Sequence, residues 1–248
     1  MSELFEVEKR KGIVIIAAAA ILAAALGAGL AKVGSGFAAR AANGITVTGS
    51  AKTSAKADNV VWTLNVSQLS PTAGAGIAKV NLGVDAVNKY LLDGGIKESE
   101  ITLGALSSYG NEEWKDGNST GRIVSYRVNR DVTVRTKSVD TVFKLSQGIG
   151  SLIATGVPVN NYGPQYLIST LSDLRPQLLA EAMKDAKVRA EAITKAVGGS
   201  VGNVTNVRSG VIQVTTPDST QALDSGAYDT STIDKTVTAT VSVTFQTK

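Results

Sequence analysis

The sequence contains neither cysteine nor histidine, and only 5% of its 248 residues are aromatic. The chain therefore has no disulfides, no cysteine or histidine metal site, and no Cys–His or Ser–His–Asp catalytic group. A hydrolase would have to use lysine or a carboxylate as its general base, which is a poor choice. These absences favour a non-enzymatic protein, and we predict no catalytic residue, no bound metal and no cofactor.

Charge also narrows the choice of partners. The formal net charge is +4 and the pI is about 9.2, a mild basic excess. The basic residues cluster only at Lys9–Lys11, whereas nucleic-acid-binding proteins concentrate lysine and arginine on one face or stripe. We therefore expect no nucleic-acid partner, and no motif identifies a small-molecule substrate.

The N-terminal segment predicts a membrane anchor. Residues 12–31 carry no charge, and a helix of this length spans about 30 Å, the thickness of the hydrocarbon core. The basic residues are denser before this segment than after it, which predicts a cytoplasmic N-terminus at 1–11. Residues 32–44 are small and polar, as in a tether, and residues 45–248 form an exported domain. The protein is thus expected in the inner membrane as a single-pass protein, with its C-terminal domain in the periplasm or cell exterior.

The alternative interpretation is a cleaved signal peptide, because Ala39-Arg40-Ala41 loosely fits a small-x-small cleavage site. The apolar run is long for a signal peptide, and Glu3, Glu6 and Glu8 neutralise the three basic residues before it. The balance favours an anchor.

The membrane segment also contains a row of small residues. Ala20, Ala24 and Ala28 share one helical face, and such rows let transmembrane helices approach closely. These three alanines are candidates for transmembrane packing between subunits, although an ordinary alanine-rich anchor is the favoured explanation.

Strand and helix patterns alternate in the exported part. Strands are predicted at 45–49, 60–67, 101–108, 126–135, within 157–170, at 204–214 and at 233–245; helices are predicted from Pro71 to Asp93, at 138–154 and at 174–197. The buried stripe of the last helix is expected to contain Leu179, Ala182, Met183, Ala186, Ala190, Ile193 and Val197. Residues 109–121 and 215–232 are predicted loops.

This order of elements contains β-α-β-β twice. Two such units side by side predict an α+β domain, with helices packed on a largely antiparallel sheet. Ser67–Pro71 is weakly echoed by Ser169–Ser172 and Pro176, so an internal repeat is plausible.

Several short motifs occur in the order found in one family. Residues 45–49 followed by 55–58 are similar to an entry strand and turn, and Gly95-Ile96 followed by Glu100-Ile101 is similar to a helix-to-strand step. Residues 182–202 match a DA…RAE…G…LG pattern, with Val201 in place of the usual leucine. On these motifs the chain resembles the SIMPL-domain family of bacterial envelope proteins. Residues 210–217 and the strand containing Lys235 resemble its membrane-anchored branch.

The resemblance implies an exported, non-enzymatic domain. Relatives are linked to envelope stress, including oxidative stress, and some form large ring-like homo-oligomers. It also implies structural roles for the motif residues Asp185, Arg189, Glu191, Gly198 and Gly202. We therefore expect a ring, cage or scaffold made of copies of this chain.

Four residues are candidates for contacts with a neighbouring subunit or partner. Glu113 and Trp114 lie in the polar segment 109–121, where an exposed aromatic ring could act as an anchor or could equally fold back on its own domain. Leu223 and Tyr228 lie in the Ser- and Thr-rich segment 215–232, which could be disordered or could equally be an arm across another subunit. Two other classes stay open: an envelope ligand- or partner-binding module, and a hydrolase.

Overall fold

The computed structural model describes residues 22–27, 29, 44–220 and 226–247. Residues 22–27 and 29 are helical. Within these described stretches, no helix is both long and apolar enough to cross a membrane. The predicted cytoplasmic segment, most of the predicted membrane span at 12–31 and nearly all of the tether lie outside the described residues.

Residues 44–220 and 226–247 form a mixed α+β structure. The elements are, in order, β1 (Gly44–Lys56), β2 (Asn59–Ser70), α1 (Ala73–Asp93), a short 3₁₀ helix (Glu98–Glu100), β3 (Ile101–Leu103), β4 (Ser107–Lys115), β5 (Asn118–Thr136), α2 (Val139–Ala154), β6 (Val159–Asn161), β7 (Gln165–Leu167), α3 (Leu171–Ala196), β8 (Val201–Ser209), β9 (Gln213–Thr215) and β10 (Asp234–Thr247).

The chain divides into two compact units. The larger unit contains residues 48–186 and 208–242, and the smaller contains the described parts of 1–47, 187–207 and 243–248. Strands β1, β8 and β10 and helix α3 each continue from one unit into the other along the chain.

A six-stranded antiparallel sheet forms the main part of the larger unit. Its strand order is β3-β5-β2-β6, with β4 also paired to β5 and β7 also paired to β2. Strands β2 and β5 pair over eleven residues, from Val60 opposite Thr136 to Ser70 opposite Tyr126. This long pairing fixes the register of the sheet.

The core of the larger unit lies between this sheet and helices α1 and α2. The inward face of β2 is fully buried and consists of Val60, Trp62, Leu64 and Val66. It packs against apolar side chains from both helices and from β5. The indole Nε1 of Trp62 donates to Asn161 Oδ1 at 2.9 Å, so the buried ring also has its polar atom satisfied.

Strand β10 lies between β1 and β8 in a second sheet, and β9 also pairs with β10. In the larger unit Val237, Ala239 and Val241 of β10 are buried, whereas the intervening threonines are half-buried. Helix α3 approaches β1 very closely at Gly49. A β-carbon on Gly49 would lie 2.1 Å from Ala182 O and 2.5 Å from Ala186 N.

The buried stripe of α3 differs from the predicted one. It consists of Leu178, Ala182, Ala186, Ala190 and Thr194. Ile193 and Val197 were expected in the stripe but are exposed, and the predicted Leu179 and Met183 are half-buried. The spacing of four residues puts small alanines in the stripe, consistent with the close approach at Gly49.

In the smaller unit, side chains bridge the ends of β1, β8 and β10. The hydroxyls of Thr46 and Thr244 are 2.9 Å apart, and Thr205 Oγ1 donates to Thr244 O at 3.1 Å. A β-carbon on Gly202 would lie 3.0 Å from the β-carbon of Gln246, so this glycine allows a close strand contact.

The α+β class with antiparallel sheets is confirmed. The order β-α-β-β occurs twice, but β6 and β7 pair with β2 while β8, β9 and β10 form the other sheet with β1. Two local predictions are wrong. The strand expected at 101–108 is broken after Leu103, and residues 109–121 form most of a β-hairpin instead of a loop.

Candidate functional site: an exposed β-hairpin

The hairpin of β4 and β5 begins at a tight turn. Asp116 and Gly117 have φ values of 48° and 79°, and Lys115 pairs with Asn118 across them. Positive φ at both central residues is typical of the type I′ turn, whose twist matches that of the two strands. The Asp-Gly dipeptide therefore explains why this polar segment forms strands.

The pairing beyond the turn is irregular. The register shifts between Asn111 and Glu112 and again between Glu112 and Trp114. Gly121, which has a φ of 71°, lies on β5 within this irregular stretch. Such irregularities increase local twist and redirect side chains.

Polar side chains link the two strands across this irregular stretch. Arg122 Nε donates to Glu113 Oε2 at 3.0 Å, and Arg122 also forms an ion pair with Glu113 Oε1. Thr120 Oγ1 donates to Glu113 Oε2 at 3.2 Å, and the hydroxyl of Ser119 donates to Glu112. The hydrogen bond from Arg122 is the main cause that holds the pKa of Glu113 below its ordinary value.

The outer part of the hairpin is a two-stranded ribbon. On one side of β5, β3 pairs with Val132–Val134 and β4 pairs with residues between 118 and 129. On its other side, β2 pairs only with residues 126–136. Among the described strands, residues 118–125 therefore pair with β4 alone. No described strand pairs with the outer edge of β4 either, and such edges can accept another strand.

Apolar side chains on the ribbon face solvent. Trp114 is 67% exposed, whereas Trp62, the other tryptophan, is fully buried. Three more large apolar residues of the hairpin are about half exposed: Tyr109, Ile123 and Val124. Exposed apolar groups beside polar ones are typical of a protein contact surface. We call the side chains of Tyr109, Trp114, Ile123 and Val124 the hairpin surface.

The groups that the hairpin exposes suit binding to another molecule better than catalysis or metal coordination. Its carboxylates Glu112 and Glu113 already accept hydrogen bonds from Ser119, Thr120 and Arg122. Among the residues that the structure describes, no group of three or more acidic side chains could hold a metal ion. What remains available are open strand edges and apolar side chains, which suit binding to another polypeptide.

The structure places Glu113 and Trp114 together on this hairpin, next to each other in β4. Sequence reasoning missed the exposed apolar side chains of Tyr109, Ile123 and Val124 on the same hairpin. The missed signal was the dipeptide Asp116-Gly117, which is among the strongest short-range indications of a hairpin.

Tyr228 lies in a different place, in a segment that is firmly attached to the larger unit. Its ring is 44% exposed, and its hydroxyl accepts a hydrogen bond from the Ile168 N–H at 2.9 Å. Its neighbours Ala227 and Asp229 exchange main-chain hydrogen bonds with Val214. Leu223 lies outside the described residues, so the proposed arm at 215–232 is described only in part.

The buried side chain of Lys235 anchors the same segment through half-buried Asp229. The ammonium of Lys235, a residue with 1% exposure, donates to Asp229 O at 2.7 Å and to Asp229 Oδ1 at 3.2 Å. Burial acts to raise the pKa of Asp229, but hydrogen bonds from Ser231, Lys235 and Thr232 outweigh it and lower the pKa to about 2. No motif or periodicity in the sequence indicates this pair.

The family comparison covers most of the chain. The family model SIMPL, described as a protein of unknown function (DUF541), matches residues 45–245. The chain belongs to the SIMPL family. No curated protein matches it. The matched range includes both sheets, and the hairpin surface is therefore part of the SIMPL domain.

Three of the motif residues named from the resemblance, Asp185, Arg189 and Glu191, lie on α3, and Gly198 and Gly202 follow it. In the larger unit Asp185 Oδ2 accepts a hydrogen bond from the Ser50 N–H at 2.8 Å. In the smaller unit Glu191 and Lys187 are 3.7 Å apart on exposed helix surface, and Arg189 is also exposed on α3. Gly198 has a φ of 77° just after α3, a conformation that favours glycine at a helix end.

Proposed function

We propose that this chain is a non-enzymatic, membrane-anchored protein of the cell envelope whose SIMPL domains self-assemble into a large homo-oligomer. The single observation that carries the proposal is the hairpin surface, where Trp114 is 67% exposed on a ribbon with open edges. Burial of such a ring against a second copy would supply a typical anchor contact. The proposal needs no cofactor.

A second open edge supports assembly from copies of the same chain. Strand β8 ends the order β1-β10-β8, and its residues Val204 and Val207 are each 47% exposed. A chain with two different open edges can associate head to tail, and such contacts close into rings when the rotation permits. This property supports the ring or cage that family resemblance implies.

The anchor and the location belong to the same proposal. Residues 12–31 carry no charge and follow Lys9–Lys11, which supports a single span with the N-terminus inside. The SIMPL domain would then lie in the periplasm or outside the cell, with Ala20, Ala24 and Ala28 available for contacts between membrane helices. A link to envelope or oxidative stress rests on the family resemblance alone.

Native mass tests the proposal directly. The full-length protein in detergent should show the mass of a large oligomer by light scattering, after subtraction of the bound detergent. Trp114→Thr should weaken association by about tenfold or more, because a central aromatic anchor is lost. The matched control is Tyr162→Thr, which removes an aromatic ring that is 85% exposed on a different segment, and it should leave the mass unchanged.

Two results would contradict the proposal. One is a monomeric wild-type protein at every concentration, and the other is a Trp114→Thr protein that assembles like the wild type. A monomer would favour the alternative function, a module that binds a different envelope protein or ligand.

A further inference from the structure

A cleft on the hydroxyl-rich side of β10 has no assigned role. It measures about 380 Å³ and belongs entirely to the larger unit. This volume lies near the lower end of the range for small-molecule sites, about 300–1,000 Å³. The lining residues are Lys52, Thr53, Ser54, Gln213, Thr215, Pro217, Ser219, Thr220, Thr236, Thr238 and Thr240.

The position of the cleft follows from the alternation of β10. Val237, Ala239 and Val241 are buried on one side, so Thr236, Thr238 and Thr240 lie on the other. Strand β1 contributes residues 52–54, and the segment 213–220 supplies the remaining lining. Thr236 Oγ1 lies 3.4 Å from Pro217 O and donates to it.

The lining has an uncommon chemical composition. Of the eleven described lining residues, eight are threonine or serine, one is an amide, and Pro217 is the single apolar member. These described residues include no aromatic ring and no carboxylate, and Asp218 is not among them although it adjoins Pro217. A hydroxyl both donates and accepts, so this lining suits a ligand that is itself rich in hydroxyls.

Several of these polar groups have no protein partner. Within the described part of the chain, the hydroxyls of Thr215, Thr238 and Thr240 form no hydrogen bond, although Thr215 is only 8% exposed. The ammonium of Lys52 likewise has no ion-pair partner among the described residues, whereas Lys56 on the same strand lies 3.7 Å from Asp234. The cleft therefore presents free donors and one uncompensated positive charge.

We propose that this cleft binds a small polyhydroxylated anion, such as a sugar phosphate. Lys52 would pair with the anionic group, and the threonine hydroxyls would exchange hydrogen bonds with the ligand's hydroxyls. A metal cation is disfavoured because Lys52 repels it and none of the described lining residues is a carboxylate that would compensate its charge. A planar aromatic ligand is disfavoured because the described lining residues offer no ring to stack on.

Calorimetric titration of the full-length protein in detergent provides the test, with glucose 6-phosphate, inorganic phosphate and glucose as separate probes. Glucose 6-phosphate should bind most tightly, because it alone combines a hydroxyl-rich body with a charge. Lys52→Gln should weaken its binding by about tenfold to a hundredfold, as expected for loss of a charge-assisted hydrogen bond. Thr238→Val, which keeps the shape and removes one hydroxyl, should weaken it by about twofold to tenfold.

The controls remove the same groups elsewhere on the larger unit. Lys56→Gln changes the net charge equally, and Thr48→Val removes an exposed hydroxyl of β1 that does not line the cleft. Neither should change the affinity. The inference is overturned if no probe binds at concentrations up to about 10 mM, well above the weak affinities of small polar sites. It is also overturned if glucose or inorganic phosphate binds as tightly as glucose 6-phosphate, or if each variant matches its control.

Ligand binding in the cleft and self-assembly are independent properties, and each can fail without the other. A protein that binds glucose 6-phosphate but remains monomeric would refute the proposed scaffold and keep the cleft. An assembled protein that binds none of the probes would refute the cleft as a ligand site and keep the proposed scaffold.

Discussion

Strand β5 has two halves that differ in their surroundings. In the inner half, residues 126–136, the strand pairs with β2, and Val128, Val132 and Val134 are fully buried. In the outer half, residues 118–125, it pairs with β4 alone and nearly every residue is exposed. The buried valines of the inner half stabilise the fold. The outer half leaves its apolar side chains exposed, where they can contact another protein. Surface segments held by a rigid scaffold often carry function in this way.

The same contrast between covered and uncovered strands applies to β1. At Gly49 this strand lies directly beneath α3, and no atom could be added there without displacing the helix backbone. Adding one methyl group at Gly49 should disturb the packing of the covered strand. Matched substitutions on covered and exposed segments should therefore differ in their effect on stability.

The largest effect is expected for Gly49→Ala. Its β-carbon would lie 2.1 Å from Ala182 O, and since main-chain atoms are involved, α3 must shift as a whole. Overpacking of this kind should lower the free energy of unfolding by about 3 kcal/mol or more. Urea unfolding of the full-length protein, followed by circular dichroism, measures the loss.

The control for this change is Gly74→Ala. A β-carbon on Gly74 would meet nothing within 4 Å, and Gly74 lies in the first turn of α1. Alanine should raise the stability slightly, by up to about 1 kcal/mol, because it is the better helix former. A Gly49→Ala protein as stable as the wild type would show that α3 does not pack against β1 at this point.

An intermediate effect is expected when one valine is shortened in each half of β5. Val132→Ala should cost about 2 kcal/mol, because it removes two buried methyl groups and leaves a cavity. Val124→Ala changes a side chain that is 48% exposed and should alter the stability by less than about 0.5 kcal/mol. The comparison fails if the two variants have equal unfolding midpoints in urea.

Regular periodicity made much of the fold predictable. Alternation identified β2 and β10, and helix spacing with the glycines after Asp93 identified α1 to its last residue. The buried face of β2, including Trp62, follows from the same alternation. These elements have one covered side, and burial imposes a pattern on the residues.

The hairpin and the buried anchor were not predictable in the same way. Residues 109–125 lack apolar alternation because neither side of the ribbon is covered, so only the Asp-Gly turn indicates its strands. The pairing of Asp229 with Lys235 depends on the path of the chain before β10, and lysine at that position usually indicates an exposed side chain. The cleft needs side chains from β1, β9 and β10, which only the tertiary structure brings together.

The comparison of covered and exposed segments extends to two carboxylates with lowered pKa values. Asp229 is bonded to a fully buried ammonium, whereas Glu113 is paired with Arg122 on the exposed ribbon. The folded-state pKa of Asp229 is about 2, below the ordinary value of 3.8. Its stabilising contribution is therefore complete above about pH 5 and is lost as the pH falls toward 2.

The smallest effects should appear in the pH dependence of two matched variants. The stability advantage of the wild type over Asp229→Asn should shrink by about 1–2 kcal/mol between about pH 5 and pH 2, because the shifted pKa no longer contributes once the carboxylate is protonated. The advantage over Glu113→Gln should be too small to measure at either pH, since solvent screens the exposed pair. Urea unfolding at the two pH values gives both differences. Equal pH dependence for the two pairs would mean that Lys235 is not buried in solution, because burial is what distinguishes them.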